Sequence, residues 1–207
     1  MRGDEQAGDW RRREPLELPP LLAGALESFY EKGYHGASVR DIASRVGVTV
    51  PALYYHYASK QAIMVALVEL AARDFSEFVA RALGDTPDDP ASQLAVLVEA
   101  IALQMTQRHR LAFLEAELRY LDPAALAAYR RHRQRVEDKL IEVLRAGTRA
   151  GVFQIDEVTE VARAILGMCQ AIATWYRPGG ALSPTELSGR YASYAMNLAR
   201  AGVTAAR

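Results

Sequence analysis

The stretch SVRDIASRVGVTVPALYYHYASK, residues 38–60, decides the fold. Two short helical segments flank Gly47. Thr49 can cap the second, because a hydroxyl at a helix start accepts a backbone N–H that has no partner within the helix. Ala43 is small where two helices would cross closely, and Gly47, four residues on, suits a tight turn with positive φ. Ile42, Val46, Val48 and Leu53 fall where an angled helix pair needs a mini-core. This is helix-turn-helix spacing, whose second helix can enter the major groove of DNA. The same spacing describes an ordinary corner between helices, and spacing alone leaves both readings open.

The side chains of the second helix favour the first reading. Tyr54, Tyr55, His56 and Tyr57 follow one another, and Ser59-Lys60 comes next. At most half of four consecutive side chains can face a core. The exposed remainder offers hydroxyl, imidazole and ammonium donors suited to phosphate oxygens. Ser38 and Lys60 stand at helix starts, where free backbone amides also favour an anion. Arg40 can reach a guanine edge, and Pro51 or Tyr55 can touch thymine methyls.

Outward from this stretch the chain reads as helical nearly everywhere. Pro19-Pro20 suits a helix start, Leu21, Leu22, Ala25, Leu26 and Phe29 recur at helical spacing, and Gly33 supplies a stop. A long helix follows Ser59. A loop from Gly84 to Pro90 precedes an apolar-periodic segment around Leu94 and Met105. Further helices are expected between Asp122 and Arg149 and between Asp156 and Tyr176. The last opens at Ser183-Pro184-Thr185-Glu186, where Ser183 and Glu186 have capping-box spacing. No run of alternating β-branched residues argues for a sheet. The fold class is all-α: a three-helix head followed by a longer helical body. Residues 1–18, polar and carrying Arg11, Arg12 and Arg13, read as a flexible arm, 19–64 as the head and 65–207 as the body.

Composition narrows the function. The 207 residues carry 25 Lys plus Arg against 25 Asp plus Glu, a net charge of zero, which argues against a protein that coats nucleic acid or an anionic membrane. A single cysteine, Cys169, permits no intrachain disulfide framework and no cysteine-based zinc site. The longest stretch free of Asp, Glu, Lys and Arg runs from residue 46 to 59 and contains Pro51 and His56, too short to span a bilayer. With acids at Asp4, Glu5 and Asp9 and no apolar run, the N-terminus does not resemble a signal peptide, and a cytoplasmic protein is expected. His35, His56, His109 and His132 do not pair at metal-ligand spacing. No phosphate loop or nucleophile elbow is present, so neither cofactor nor enzyme is indicated.

The run from Gly33-Tyr34 through Ser38-Val39-Arg40-Asp41-Ile42-Ala43, Gly47-Val48-Thr49, Leu53-Tyr54-Tyr55-His56-Tyr57 and Ser59-Lys60 resembles the TetR family of bacterial transcriptional regulators. The resemblance covers about residues 21 to 68. It implies phosphate contacts from Ser38, Tyr54, His56 and Lys60, and base-edge or methyl contacts from Arg40, Val50, Pro51 and Tyr55, with Val39 and Thr49 on the same surface. Two departures are Tyr57 in place of the usual Phe, and Pro19-Pro20 in place of an arginine that often opens the first helix. The latter leaves Arg11 to Arg13 as a candidate arm along the DNA.

For the body, the resemblance implies about six helices, an internal ligand cavity and a homodimer built from the last two helices of each subunit. The penultimate helix carries Ile165, Cys169 and Ile172, and the last carries Tyr191, Tyr194 and Leu198, the expected interface. The segment Trp175-Tyr176-Arg177-Pro178-Gly179-Gly180, with Gly151-Val152-Phe153 before it, is similar to a subgroup regulating fatty-acid and steroid catabolism in answer to acyl-CoA thioesters. Met64, Leu67, Met105, Phe113, Leu114, Tyr120, Met168 and Trp175 are candidates to line an apolar tunnel. Arg130, Arg131, Arg133, Arg135 and His132 are candidate cations for the CoA phosphates. The expected function is a repressor that binds a twofold operator as a homodimer and is released by a small apolar or amphipathic effector, acyl-CoA-like. The alternative is an all-α ligand-binding protein or enzyme whose helix-turn-helix is only a corner.

Overall fold

The computed structural model of the chain describes residues 9–114, 118 and 121–201. Among these residues the fold is all-helical: α1 (Pro20–Gly36), α2 (Val39–Val46), α3 (Val50–His56), α4 (Lys60–Gly84), α5 (Pro90–Gln107), α6 (His109–Phe113), α7 (Pro123–Arg149), α8 (Val158–Trp175) and α9 (Pro184–Arg200). Helix starts follow the sequence signals closely. Pro20 sits in the first turn of α1, where its missing N–H would have no helical partner. Ser38 caps α2 in a reciprocal box with Asp41, and Ser183 caps α9 in the same way with Glu186. Gly33 adopts φ 70° and ψ 165°, which ends the regular part of α1 and lets Tyr34 turn back under Phe29, their rings 5.6 Å apart.

Packing groups the chain into two compact units. The first comprises residues 16–75 and 108–136, and the second residues 76–107 and 137–201 together with 9–15. This grouping differs from a head of 19–64 and a body of 65–207, for a physical reason. Three short helices cannot close a core alone, and the apolar centre of the head, with Leu26, Phe29, Ile42, Leu53, Ile63 and Leu67, is completed by Leu111, Leu114, Leu118 and Leu121. The short α6 that brings Leu111 carries no cap or period that marks it in sequence.

In the second unit α5 packs along α9 and α8. Ser188, Ala192, Ala195 and Ala199 form the buried side of α9 together with Leu187 near its start. Four small residues at helical spacing let two helix backbones approach closely. Phe153 folds back onto α7 at Gly147, where an added Cβ would lie 2.1 Å from its Cδ2.

Residues 9–15 are not the loose tail that their composition suggests. The Trp10 ring lies 5.5 Å from Phe78, and Arg13 stands 4.2 Å above the same ring while donating to Gln104. Arg11 pairs with Glu99 at 2.6 Å, and Gln107 donates to the Arg11 carbonyl at 2.9 Å. Arg11 and Arg13 are therefore held on α4 and α5, and not displayed as an arm for DNA. Residues 1–8 lie outside the described residues.

Candidate nucleic-acid interface

The helix pair α2–α3 is set against α1 by a close approach at Gly24, where a Cβ would meet Val46 Cγ1 at 2.3 Å. Gly47 ends α2 with φ 72°, in the left-handed region open to glycine, and its N–H bonds back to the Ala43 and Ser44 carbonyls. Thr49 then caps α3, its hydroxyl oxygen accepting from the Ala52 N–H at 3.2 Å. Ile42 and Leu53 are fully buried, as the mini-core requires, and Val46 is half-buried. Val48 is a correction: it stands 40% exposed in the turn, a side chain the α2–α3 core does not use.

Leu53 faces inward at 0% exposure, while Tyr55, two positions on, is 87% exposed. Tyr54 is half exposed, and Arg40, Pro51 and His56 are exposed. Val39 and Val50 are partly buried against the core. The Tyr55 and His56 rings meet edge to face at 5.4 Å. One end of the head thus presents an aromatic, hydroxyl-bearing surface.

Its cations are arranged unlike the sequence reading. Arg45 is in an ion pair with Glu31 on α1, and this pairing holds the Glu31 carboxyl below its ordinary range. Lys60 donates to the Tyr34 and Ala37 carbonyls, with its pKa lowered by burial. Of the three cations between residues 38 and 60, Arg40 is left to face outward. Ser38 is also committed: its N–H and its hydroxyl both donate to Asp41 Oδ2, at 2.8 and 2.6 Å. Lys32 donates to the other Asp41 oxygen at 2.7 Å. That hydrogen bond, then those from Ser38, hold Asp41 far below the carboxylate range. Ser38 and Lys60, expected as phosphate donors, thus have their donors engaged within the chain. Sequence spacing could reveal the Ser38–Asp41 box; it carried no signal for Lys32, Glu31 or Tyr34 as partners.

The other candidate residues divide as follows. Met64 and Leu67 are fully buried in the first unit with Leu114. Met105 is buried on α5, Met168 is half-buried on α8, and Trp175 is 47% exposed at the end of α8. Trp175 is thus a surface residue of the chain, not part of an interior lining. Tyr120 and the Phe113 side chain lie outside the described residues, as does the His132 side chain. Arg130, Arg131, Arg133 and Arg135 are exposed along α7. Ile165, Cys169 and Ile172 are completely buried within the chain, so they cannot be the surface by which α8 meets a second copy. Burial also pushes the Cys169 thiol up to about 12, the state of an inert core residue. The exposed side of α8 carries Ala164, Gly167, Ala171 and Trp175 instead. On α9, Tyr194 is 54% exposed and Tyr191 and Leu198 are partly so. Among the described residues no helix is long and apolar enough to cross a membrane, and no cluster of His, Cys, Asp or Glu could hold a metal ion.

Comparison with known proteins places this geometry. Residues 21–67 match the model for bacterial regulatory proteins of the tetR family, and residues 87–199 match the tetracyclin repressor-like C-terminal domain. The chain belongs to the TetR family. It is therefore a transcriptional regulator with a helix-turn-helix head and not an enzyme. The HTH-type transcriptional repressor KstR2 of Mycobacterium tuberculosis is 29% identical over 187 residues, spanning 87% of this chain and 88% of that protein. Among solved structures, the TetR family transcriptional regulator PfmR of Thermus thermophilus is 29% identical with a TM-score of 0.79, covering 88% of this chain and 98% of that one. AibR, solved in complex with isovaleryl coenzyme A and operator DNA, shares the fold with a TM-score of 0.75 at 22% identity, over 86% of this chain and 95% of that one.

Proposed function

We propose that this TetR-family regulator acts as a homodimeric repressor, reading a twofold DNA site with α3 and releasing it when a CoA thioester binds the C-terminal region. The observation that carries the reading is the split on α3, where Leu53 is fully buried and Tyr55 is 87% exposed. A side chain so exposed contributes little to the fold and is free to meet bases. Tyr54, His56 and Thr49 supply phosphate donors beside it, Arg40 a base-edge donor, and Val39, Val50 and Pro51 apolar contacts. The functional division is a reading head over 19–64 and a ligand-binding, dimerising region over 65–207.

Dimerisation follows from the need for two heads about one helical turn of DNA apart, ~34–36 Å. The exposed faces of α8 and α9 suit it. Ala164, Gly167 and Ala171 permit close approach of a partner helix, and Trp175, Tyr191, Tyr194 and Leu198 add apolar area. The CoA class is supported by the likeness to AibR, whose structure holds isovaleryl coenzyme A. The exposed arginines of α7 are suitable phosphate partners. Met105 and Met168, both in the second unit, are apolar candidates for the acyl chain.

The test is a gel-shift titration on a duplex selected by the protein from a random-sequence pool. Acyl-CoA esters of increasing chain length should release the duplex by about 5- to 150-fold, the span of ordinary allosteric coupling. Tight, selective DNA binding with no response to any ester would retire the effector and leave the regulator. Failure to select any duplex would retire the reading of α3.

A further inference from the structure

Residues 100–106 of α5 are all buried. Seven residues make nearly two turns, so this stretch is covered on every side. Two of its neighbours are the long helices α8 and α9. Over Glu99, Gln104 and Gln107 the cover is the short segment 9–15. Arg11 Nε lies 2.6 Å from a Glu99 oxygen, Arg13 donates to Gln104, and Gln107 donates to the Arg11 carbonyl at 2.9 Å. Trp10 and Arg13 both stand on the ring of Phe78, which is 1% exposed.

This cover is held more weakly than a helix would be. Trp10, Arg11 and Arg13 are themselves only partly buried. The Arg12 N–H bonds to the Asp9 carbonyl within the segment, and the hold on α5 runs through side chains. Docking also leaves Gln107 Oε1 buried with no donor among the described residues, which costs free energy. Arg11 and Glu99 are both partly exposed, so their attraction is screened by salt. A short piece of chain with few buried apolar contacts belongs to the part of a protein that opens most readily. Moving α8 or α9 would instead break the packing of a whole helix.

We propose that residues 9–15 are a gate: a displaceable strap whose release bares Phe78 and Gln104 and admits an apolar ligand to the interior beside α5. The proposal rests on the reading of this unit as effector-binding and adds the route by which the effector enters. Its signature is the direction of the salt effect. Arginines that merely attract an anionic ligand would make association slower as salt rises. A gate held shut by Arg11 and Glu99 makes association faster.

Stopped-flow mixing of the full chain with Nile red, a neutral apolar dye, tests the gate without any charge on the ligand. Association with the wild-type protein should be slow and should accelerate at least fivefold as KCl is raised. Glu99→Gln should bind at least fivefold faster at low salt and lose the salt dependence. Arg11→Gln breaks the same pair from outside the helices and should do likewise, which keeps the test open if Glu99→Gln does not fold. Trp10→Ala should also bind faster, yet keep its acceleration by salt because the ion pair remains. Equal rates in the wild type and these variants, or no dye bound by any of them, would overturn the gate. Salt dependence that survives in both Glu99→Gln and Arg11→Gln would overturn it as well. The same proteins mixed with octanoyl-CoA should show the same order of rates. If octanoyl-CoA and the other esters bind none of them, the effector reading falls and the Nile red rates still decide the gate.

Discussion

The Val46 side chain occupies the space that a Cβ on Gly24 would need, at 2.3 Å from Cγ1. Gly24 is buried on α1 and Val46 closes α2, so the angle of the helix-turn-helix against its support is set by the absence of one methyl group.

Gly24→Ala should therefore destabilise the protein although alanine is the better helix former. Overpacking costs about 1–3 kcal/mol, against a propensity gain of about 1 kcal/mol. Urea denaturation of the variant reads the difference. Unchanged or increased stability would show that α1 and α2 can separate freely.

Tyr55→Ala should leave the melting temperature within a degree or two of wild type, since the side chain is 87% exposed. Affinity for a selected duplex should fall by about 1–3 kcal/mol, the usual value of one base contact. Arg40→Ala should behave similarly. Full affinity in both variants would move the reading surface elsewhere.

The buried side of α8 and the exposed aromatic residues of α8 and α9 should respond in different ways. Ile172→Ala opens a cavity in a fully buried site and should cost about 2–5 kcal/mol of stability. Trp175→Ala and Tyr194→Ala, at half-exposed positions, should leave each subunit folded and raise the dimer dissociation constant tenfold or more. Sedimentation velocity across a dilution series distinguishes them. A dimer indifferent to both aromatic changes would exclude this face as the interface.

Folding lowers the Asp41 pKa, through the Lys32 hydrogen bond first and those from Ser38 next. A carboxylate depressed on folding stabilises the fold above its unfolded pKa of about 3.9. That contribution is lost as pH falls through the lower folded value. Asp41→Asn should consequently lower the melting temperature at neutral pH, and its gap from wild type should narrow below about pH 4. A gap independent of pH would mean that the cap works through neutral hydrogen bonding alone.

The helical map was largely legible in the sequence because its punctuation is local. Thr49 and Ser183 cap the helices their spacing assigns to them, and Pro20 and Gly47 stand where their backbone preferences place them. Local signals do not say which face of a helix meets which neighbour. Ile165, Cys169 and Ile172 form an apolar stripe that fits equally well inside the chain or between two copies, and it is inside. Lys60 follows a run of aromatic and hydroxyl residues and so reads as a surface cation. Its partners, Tyr34 and Ala37, lie more than twenty positions away and bond through backbone atoms that no side-chain pattern records. Val48 reads as a core residue by its chemistry alone, and the turn at Gly47 points it outward.

The segment that docks on α4 and α5 carries a kinetic consequence. The hydrogen bonds of Arg11 with Glu99, Arg13 with Gln104 and Gln107 with Arg11 close loops of 88, 91 and 96 residues, among the longest-range hydrogen bonds described. Loop closure of that length is entropically unfavourable until both ends are already held in place. On that ground residues 9–15 should dock late, after α4 and α5 have formed their surface. A contact made after the rate-limiting step slows unfolding and leaves the folding rate alone. Trp10→Ala should accordingly unfold faster while refolding at the wild-type rate, which makes this short segment a determinant of the protein's lifetime and not of its assembly.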